Sequence, residues 1–276
     1  MNRLKPFFLP VATTYWTIAS IATLYFFYLD GFNPSILGMA LSSFLPAIFL
    51  WTLPLRKKSS TSPSQLPLTL IMLFGLLTIA FWGSNRSILL TGFYSISYAL
   101  WISYLLWYSM LTVKNSEVLV PGKVLPDMHF KTYDNKPFYT GVLAGKKVVY
   151  IFYRGNWCPI CMTQIKEITD QYLELKERGA EVLLISPQPQ KKSKELANKL
   201  GVDLLFLTDT NNTMARLLEI EDKNGTPIQP VVSGYDADTV LPTVIITDEL
   251  GKIIFLDRTD NYRVRPEPET IIAALS

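Results

Sequence analysis

The chain has 276 residues, 49% of them hydrophobic and 18% charged, with a formal net charge of +3. Residues 1–113 carry six basic and one acidic side chain, whereas residues 114–276 carry 20 basic and 22 acidic ones. So few charges argue against a water-soluble domain in the first part, charges at the edges of apolar runs argue against nucleic-acid binding, and two cysteines exclude a multi-disulfide scaffold.

The charges of the first part are Arg3, Lys5, Asp30, Arg56, Lys57, Lys58 and Arg86. They bound four uncharged stretches, each long enough for a hydrocarbon core that takes about 20 apolar residues. Spans are predicted at 9–29, 35–53, 66–83 and 88–111. Trp51 and Trp82 stand at span ends, where an amphipathic ring prefers the interface. Arg3, Lys5, Arg56, Lys57, Lys58, Lys114 and Lys123 all fall on one side, leaving Asp30 and Arg86 on the other. By the positive-inside rule both termini are expected in the cytosol, in a bacterial-type inner (plasma) membrane; one span more or fewer puts the second domain on the periplasmic side. The first apolar run exceeds the roughly 7 to 15 residues of a signal-peptide core, so a retained helix is expected.

Residues 59–65 read as a polar loop, and Ser95, Ala99 and Ser103 recur at a spacing that lets helices approach. With no Cys, no His and only Asp30 as a carboxylate, this part reads as an anchor rather than a disulfide relay, a haem site or an ion pathway. The expected organisation is an all-α four-span transmembrane domain at 1–113, a linker at 114–123 and an α/β domain at 124–276.

In that last part apolar runs alternate with helical periodicity. Strands are predicted at 148–153, 181–186, 204–207, 243–247 and 252–256, and helices at 159–178, 191–200, 212–218 and 266–275, with Gly179 as a helix stop. Such an order suggests a mixed sheet with helices on both faces. His129 reads as a surface or packing residue on the first strand.

The chemistry lies at the first strand-to-helix junction, Arg154-Gly155-Asn156-Trp157-Cys158-Pro159-Ile160-Cys161. Two cysteines three apart on a first helical turn are close enough to bond to each other. Cys158, at the helix N-terminus, is expected to ionise readily. Pro159 suits the first helical position, Trp157 shields the site, and Cys161 is the resolving thiol. A structural zinc needs four ligands, and only His129 joins the two sulfurs, so no metal is expected. Pro242, just ahead of the 243–247 strand, makes a bend beside the dithiol if its peptide bond is cis, and an ordinary strand start if it is trans.

Residues 152–161, with Ile185-Ser186-Pro187-Gln188, residues 241–246 and Tyr262-Arg263-Val264-Arg265-Pro266-Glu267-Pro268, resemble the peroxiredoxin-like redoxins, the alkyl hydroperoxide reductase and thiol-specific antioxidant group of the thioredoxin superfamily. The resemblance covers about residues 120–276. It implies a thioredoxin fold, a cis Pro242 facing the W-C-P-I-C turn, and a redox cycle needing no cofactor beyond Cys158 and Cys161. One departure stands out: peroxiredoxins carry a Pro and a Thr or Ser seven and three residues before the attacking cysteine, where this chain has Ile151 and Gly155. The missing hydroxyl favours dithiol exchange slightly over peroxide reduction, and Arg154 is placed either beside the thiolate or on the surface with a carboxylate. Thioredoxins also carry a buried acid in the preceding strand, and residues 148–153 hold none.

The expected activity is therefore a membrane-anchored thiol-disulfide oxidoreductase: Cys158 attacks, Cys161 resolves and Pro242 shapes the groove. A thiol-dependent peroxidase is the alternative. Its substrate is a protein disulfide or a peroxide, its reductant a thioredoxin-type protein, its support a lipid bilayer; nucleic acid has no part. A metal carrier of this fold is similar to proteins with C-x-x-x-C and a later histidine, which are absent here, and a redox-sensing membrane protein is a third reading.

Overall fold

The computed structural model describes residues 2–82, 87–201 and 204–275, so Arg86 and the predicted span end at Gly83 lie outside the described residues. The chain divides into two compact units: residues 7–55 with 62–110, and residues 2–6 and 56–61 with the chain from Leu111 onward.

The first unit contains four helices, α1 (Lys5–Asp30), α2 (Pro34–Thr52), α3 (Leu66–Trp82) and α4 (Ser87–Ser103), the last running into one π-helical turn at Tyr104–Tyr108. Pro34 begins α2, and the Asn33 side chain accepts the Ile36 N–H at 3.0 Å, which satisfies one of the first-turn donors. Three stretches, Lys5–Asp30, Pro34–Leu55 and Ile88–Tyr108, are long and apolar enough to cross a membrane; α3 is apolar but shorter, at 17 residues.

This unit has an apolar core around Ile36, Met39 and Ile79, yet many large apolar side chains lie on its outside and several hydroxyls lie inside. Ile18, Ile21, Leu24, Leu70 and Phe74 are exposed, while Thr23, Ser42, Ser43 and Ser97 are buried. The buried hydroxyls bond across helices: Thr23 with Tyr94 at 2.7 Å and with Ser43 at 3.1 Å, and Ser97 to the Ser42 carbonyl at 2.6 Å. Small residues do bring two helices together, at a place other than the predicted Ser95, Ala99 and Ser103 stripe. A β-carbon on Gly38 of α2 would lie 2.4 Å from the Gly75 carbonyl of α3, so only glycine fits. Ser95 and Ser103 instead bond to carbonyls of their own helix, at 2.7 and 2.8 Å.

The second unit is built on a seven-stranded sheet of order β2-β1-β5-β4-β3-β8-β9. The strands are β1 (His129–Thr132), β2 (Pro137–Tyr139), β3 (Lys147–Phe152), β4 (Ala180–Ser186), β5 (Leu205–Thr208), β8 (Thr243–Thr247) and β9 (Ile253–Arg258); a separate ribbon joins β6 (Glu221–Asp222) to β7 (Thr239–Val240). β3, β4 and β5 run parallel, β8 antiparallel to β3 and β9 antiparallel to β8. Being covered on both faces explains why β3, β4 and β8 read as unbroken apolar runs. This strand order, with a helix entering directly after β3, is a thioredoxin-like α/β fold with a mixed sheet.

The helices are α5 (Pro159–Asp170), α6 (Tyr172–Glu177), α7 (Gln190–Leu200), α8 (Thr213–Leu217), α9 (Ile228–Val232) and α10 (Pro268–Ala273). The single helix predicted at 159–178 is broken at Gln171, whose φ of −102° and ψ of 9° leave the helical region; Gly179, at φ +73°, ends the pair as expected. The 114–123 segment expected as a linker is packed onto the sheet: Leu119 is buried, and the Ile253 N–H donates to the Lys123 carbonyl at 2.8 Å.

Candidate active site

The dithiol stands where β3 meets α5. Cys158 is the N-cap residue of α5, with extended backbone (φ −91°, ψ 109°), and Pro159 occupies the first helical position. One turn in, Cys161 is fully buried, and Cys158 is 1% exposed. Both cysteines are free thiols, joined by a side-chain hydrogen bond.

Gly155 shapes the approach. Its φ is +147°, and a β-carbon there would sit 2.7 Å from the Trp157 indole Nε1. Any side chain would meet both backbone strain and the ring. This accounts for glycine at the position where peroxiredoxins carry a hydroxyl: the indole edge fills that space.

The turn is held from two sides. Gln188, buried in the β4-to-α7 loop, accepts the Asn156 N–H through Oε1 at 2.8 Å, and through Nε2 donates to Tyr153 at 2.9 Å and Ser193 at 3.1 Å. Burial pushes the Tyr153 phenol up, so it stays neutral. On the other side Thr239 donates to the Arg154 carbonyl at 3.0 Å, and the Tyr235 hydroxyl donates to Asn156 Oδ1.

Arg154 lies beside the sulfurs and pairs with a carboxylate, but in the interior and not on the surface. It is buried, it pairs with Asp222 at 3.3 Å and donates to the Gly225 carbonyl, and its guanidinium lies 5.0 Å from the Trp157 ring centroid. Burial pushes the Asp222 carboxyl up, against the opposing pull of Arg154 and Lys5. Arg154 also favours ionisation of the sulfurs, together with the buried Arg265.

The charge does not settle where expected. Burial raises Cys161, but the hydrogen bond from Cys158, Arg265, the Arg154 N–H and the Arg154 guanidinium outweigh it and bring the thiol down to about 6. Cys158 is pushed well above its usual range by its hydrogen bond to Cys161, by burial and by the neighbouring negative sulfur. The reason is local: the Cys158 side chain makes no capping hydrogen bond to the helix amides, while Cys161 collects donors.

Pro242 stands directly ahead of β8, with Leu241 between it and β7. Phe152 pairs with Thr243, so Pro242 stands one step beyond, level with the end of β3. No peptide bond is cis among the described residues, so the Leu241–Pro242 bond is trans and the cis bend implied by the resemblance is corrected. His129 is exposed on β1, with its ring 6.5 Å from that of Tyr139 on β2. Arg265, Gln188 and Tyr153 are site residues that spacing around the cysteines does not reveal. All three lie within the segments that carry the resemblance, which is the signal pointing to them.

Residues 121–256 match the AhpC/TSA family. Over 95 residues the chain is 32% identical to the chloroplastic peroxiredoxin Q of Triticum aestivum and 33% identical to that of Gentiana triflora, each match covering 34% of this chain and 44% of the relative. The chain thus spans less than half the length of these relatives. Among solved structures, peroxidoxin BcpB of Mycobacterium tuberculosis superposes with a TM-score of 0.47 at 21% identity, covering 56% of this chain and 95% of that one. The matched region is thus similar to the AhpC/TSA family and to peroxiredoxins.

Proposed function

We propose that the protein is a membrane-anchored, thiol-dependent peroxidase that cycles Cys158 and Cys161 between dithiol and disulfide. The observation carrying this reading is the hydrogen-bonded pair of buried sulfurs at the start of α5 with one ionised near neutral pH. The peroxiredoxin relatives favour a peroxide over a protein disulfide as oxidant; disulfide exchange at the same sulfurs is the second reading, supported by the C-P-I-C spacing.

The cycle balances as follows. The proton of the shared S–H···S bond passes to Cys161 as the Cys158 thiolate attacks the peroxide. An S–O bond forms, the O–O bond breaks, and the leaving oxygen takes the Cys161 proton. The Cys161 thiolate then displaces hydroxide from the Cys158 sulfenic acid, giving the disulfide and, after protonation, water. A thioredoxin-type dithiol returns two electrons. Arg154 and Arg265 keep the pair singly ionised, Trp157 lines the approach, and Pro242 borders the groove; no metal or bound cofactor takes part.

The anchor reading rests on the exposed apolar side chains of the helical unit and its long apolar helices. Residues 2–6 and 56–61 share one compact unit with the redoxin domain, which supports placing all three on one side of the bilayer, and the basic residues favour the cytosolic side. Peroxide consumption by the full chain in vesicles, with a thioredoxin system as reductant, tests the reading. Turnover lost in Cys158→Ser, with Cys161→Ser halting at a sulfenic acid, is the expected result; turnover retained in both variants overturns it.

A further inference from the structure

Residues 223–238, between β6 and β7, form an excursion containing the five-residue α9, with Val232 exposed and Gly234 at φ +93°. The segment is drawn onto the active-site turn by Arg154, which donates to the Gly225 carbonyl, and by the Tyr235 hydroxyl, which donates to Asn156 Oδ1. A small cavity of about 10 Å³ remains between segment and turn, bordered by Arg154, Trp157, Gln188, Tyr235 and Asp238. That is room for one water-sized group. The Trp157 Nε1 is buried with no hydrogen-bond partner, so the seam is incompletely bonded.

Cys158 directly follows Trp157 of this seam in the chain, and both sulfurs are at no more than 1% exposure. A reactant of two heavy atoms needs a small breathing motion to reach them, whereas a disulfide carried on a polypeptide needs the turn uncovered. We propose that Tyr235, latched to Asn156, is a specificity-determining residue: it holds the 223–238 segment over the turn, admits small hydroperoxides to the dithiol and excludes bulky thiol-reactive partners until the latch opens. This inference rests on the dithiol reading above and assigns its substrate class by size.

The test compares alkylation of the reduced full chain by iodoacetamide and by a maleimide carried on a polyethylene glycol chain, each normalised to its rate with a free cysteine peptide. The wild type should favour the small reagent by at least about a hundredfold, and Tyr235→Phe, which removes only the latch hydroxyl, should shrink that preference by about tenfold. Asn156→Ala should do the same, and the double variant should do no more than either alone, because both substitutions break one latch. Equal normalised rates in the wild type, or a size preference untouched by both variants, overturn the proposal. The wild-type measurement decides even where a variant fails to fold. Failure of the peroxidase reading shows separately, as slow oxidation by peroxide with the size preference intact.

Discussion

The backbone N–H of Thr61 donates to the carbonyl of Arg263 at 2.9 Å, joining the loop that follows α2 to the segment that precedes α10. Nearby, the Ser59 N–H donates to the Glu167 carboxylate of α5 at 3.0 Å, and both Ser59 and Thr61 are buried. A stretch of serine and threonine between two apolar helices is thus part of the redoxin unit. The Thr61 amide should exchange with deuterium about a hundredfold more slowly than an unstructured amide in the full chain. Exchange at the unstructured rate would show that the strap is absent in solution.

Gly155→Ala should destabilise the domain by about 2 kcal/mol, since it adds a β-carbon at positive φ and against the Trp157 ring. Denaturant unfolding measures the loss. A midpoint equal to wild type would mean that the turn relaxes around the substitution.

Breaking the Arg154–Asp222 pair by Arg154→Ala strands a buried carboxylate, at about 3–5 kcal/mol. Asp222→Asn should cost less, because the amide still accepts from the guanidinium. The comparison of the two unfolding midpoints checks this ordering.

The ionisation of the pair gives a pH prediction with a definite sign. Cys161 is lowered to about 6, so the pair carries its negative charge above that pH, the charge that takes the Cys158 proton as Cys158 attacks, and loses it as pH falls through that value. Alkylation of the reduced chain should therefore rise with pH around 6, far below a free thiol at roughly 8.5. Arg265→Gln, which withdraws one of the charges favouring the thiolate, should move the midpoint upward. A midpoint unmoved by that variant would remove Arg265 from the site.

The cysteine pair's place at a strand-to-helix junction and the α/β fold were legible because both are local. A buried apolar strand, a helix-starting proline and two cysteines one turn apart leave few alternatives. What escaped prediction is set by distance or by fine geometry. Arg265 acts on the sulfurs and Gln188 holds the Asn156 turn from remote segments, and no spacing rule around Cys158 finds them. The lowering of Cys161 follows from its hydrogen bond with Cys158 and from Arg265 and Arg154, invisible without coordinates. The break at Gln171 and the trans bond before Pro242 are backbone choices that periodicity does not encode. The polar stretch at Ser59 to Thr61 was readable as a loop, but its burial depends on partners at Glu167 and Arg263.

The most direct measurement is the rate at which hydrogen peroxide oxidises the reduced full chain, followed by stopped flow and by mapping of the product. The account predicts oxidation at least about a thousandfold faster than that of a free cysteine at the same pH, one peroxide consumed per chain, and a single disulfide joining Cys158 to Cys161. Oxidation at the free-thiol rate, or a product in which the two sulfurs remain unjoined, would contradict it.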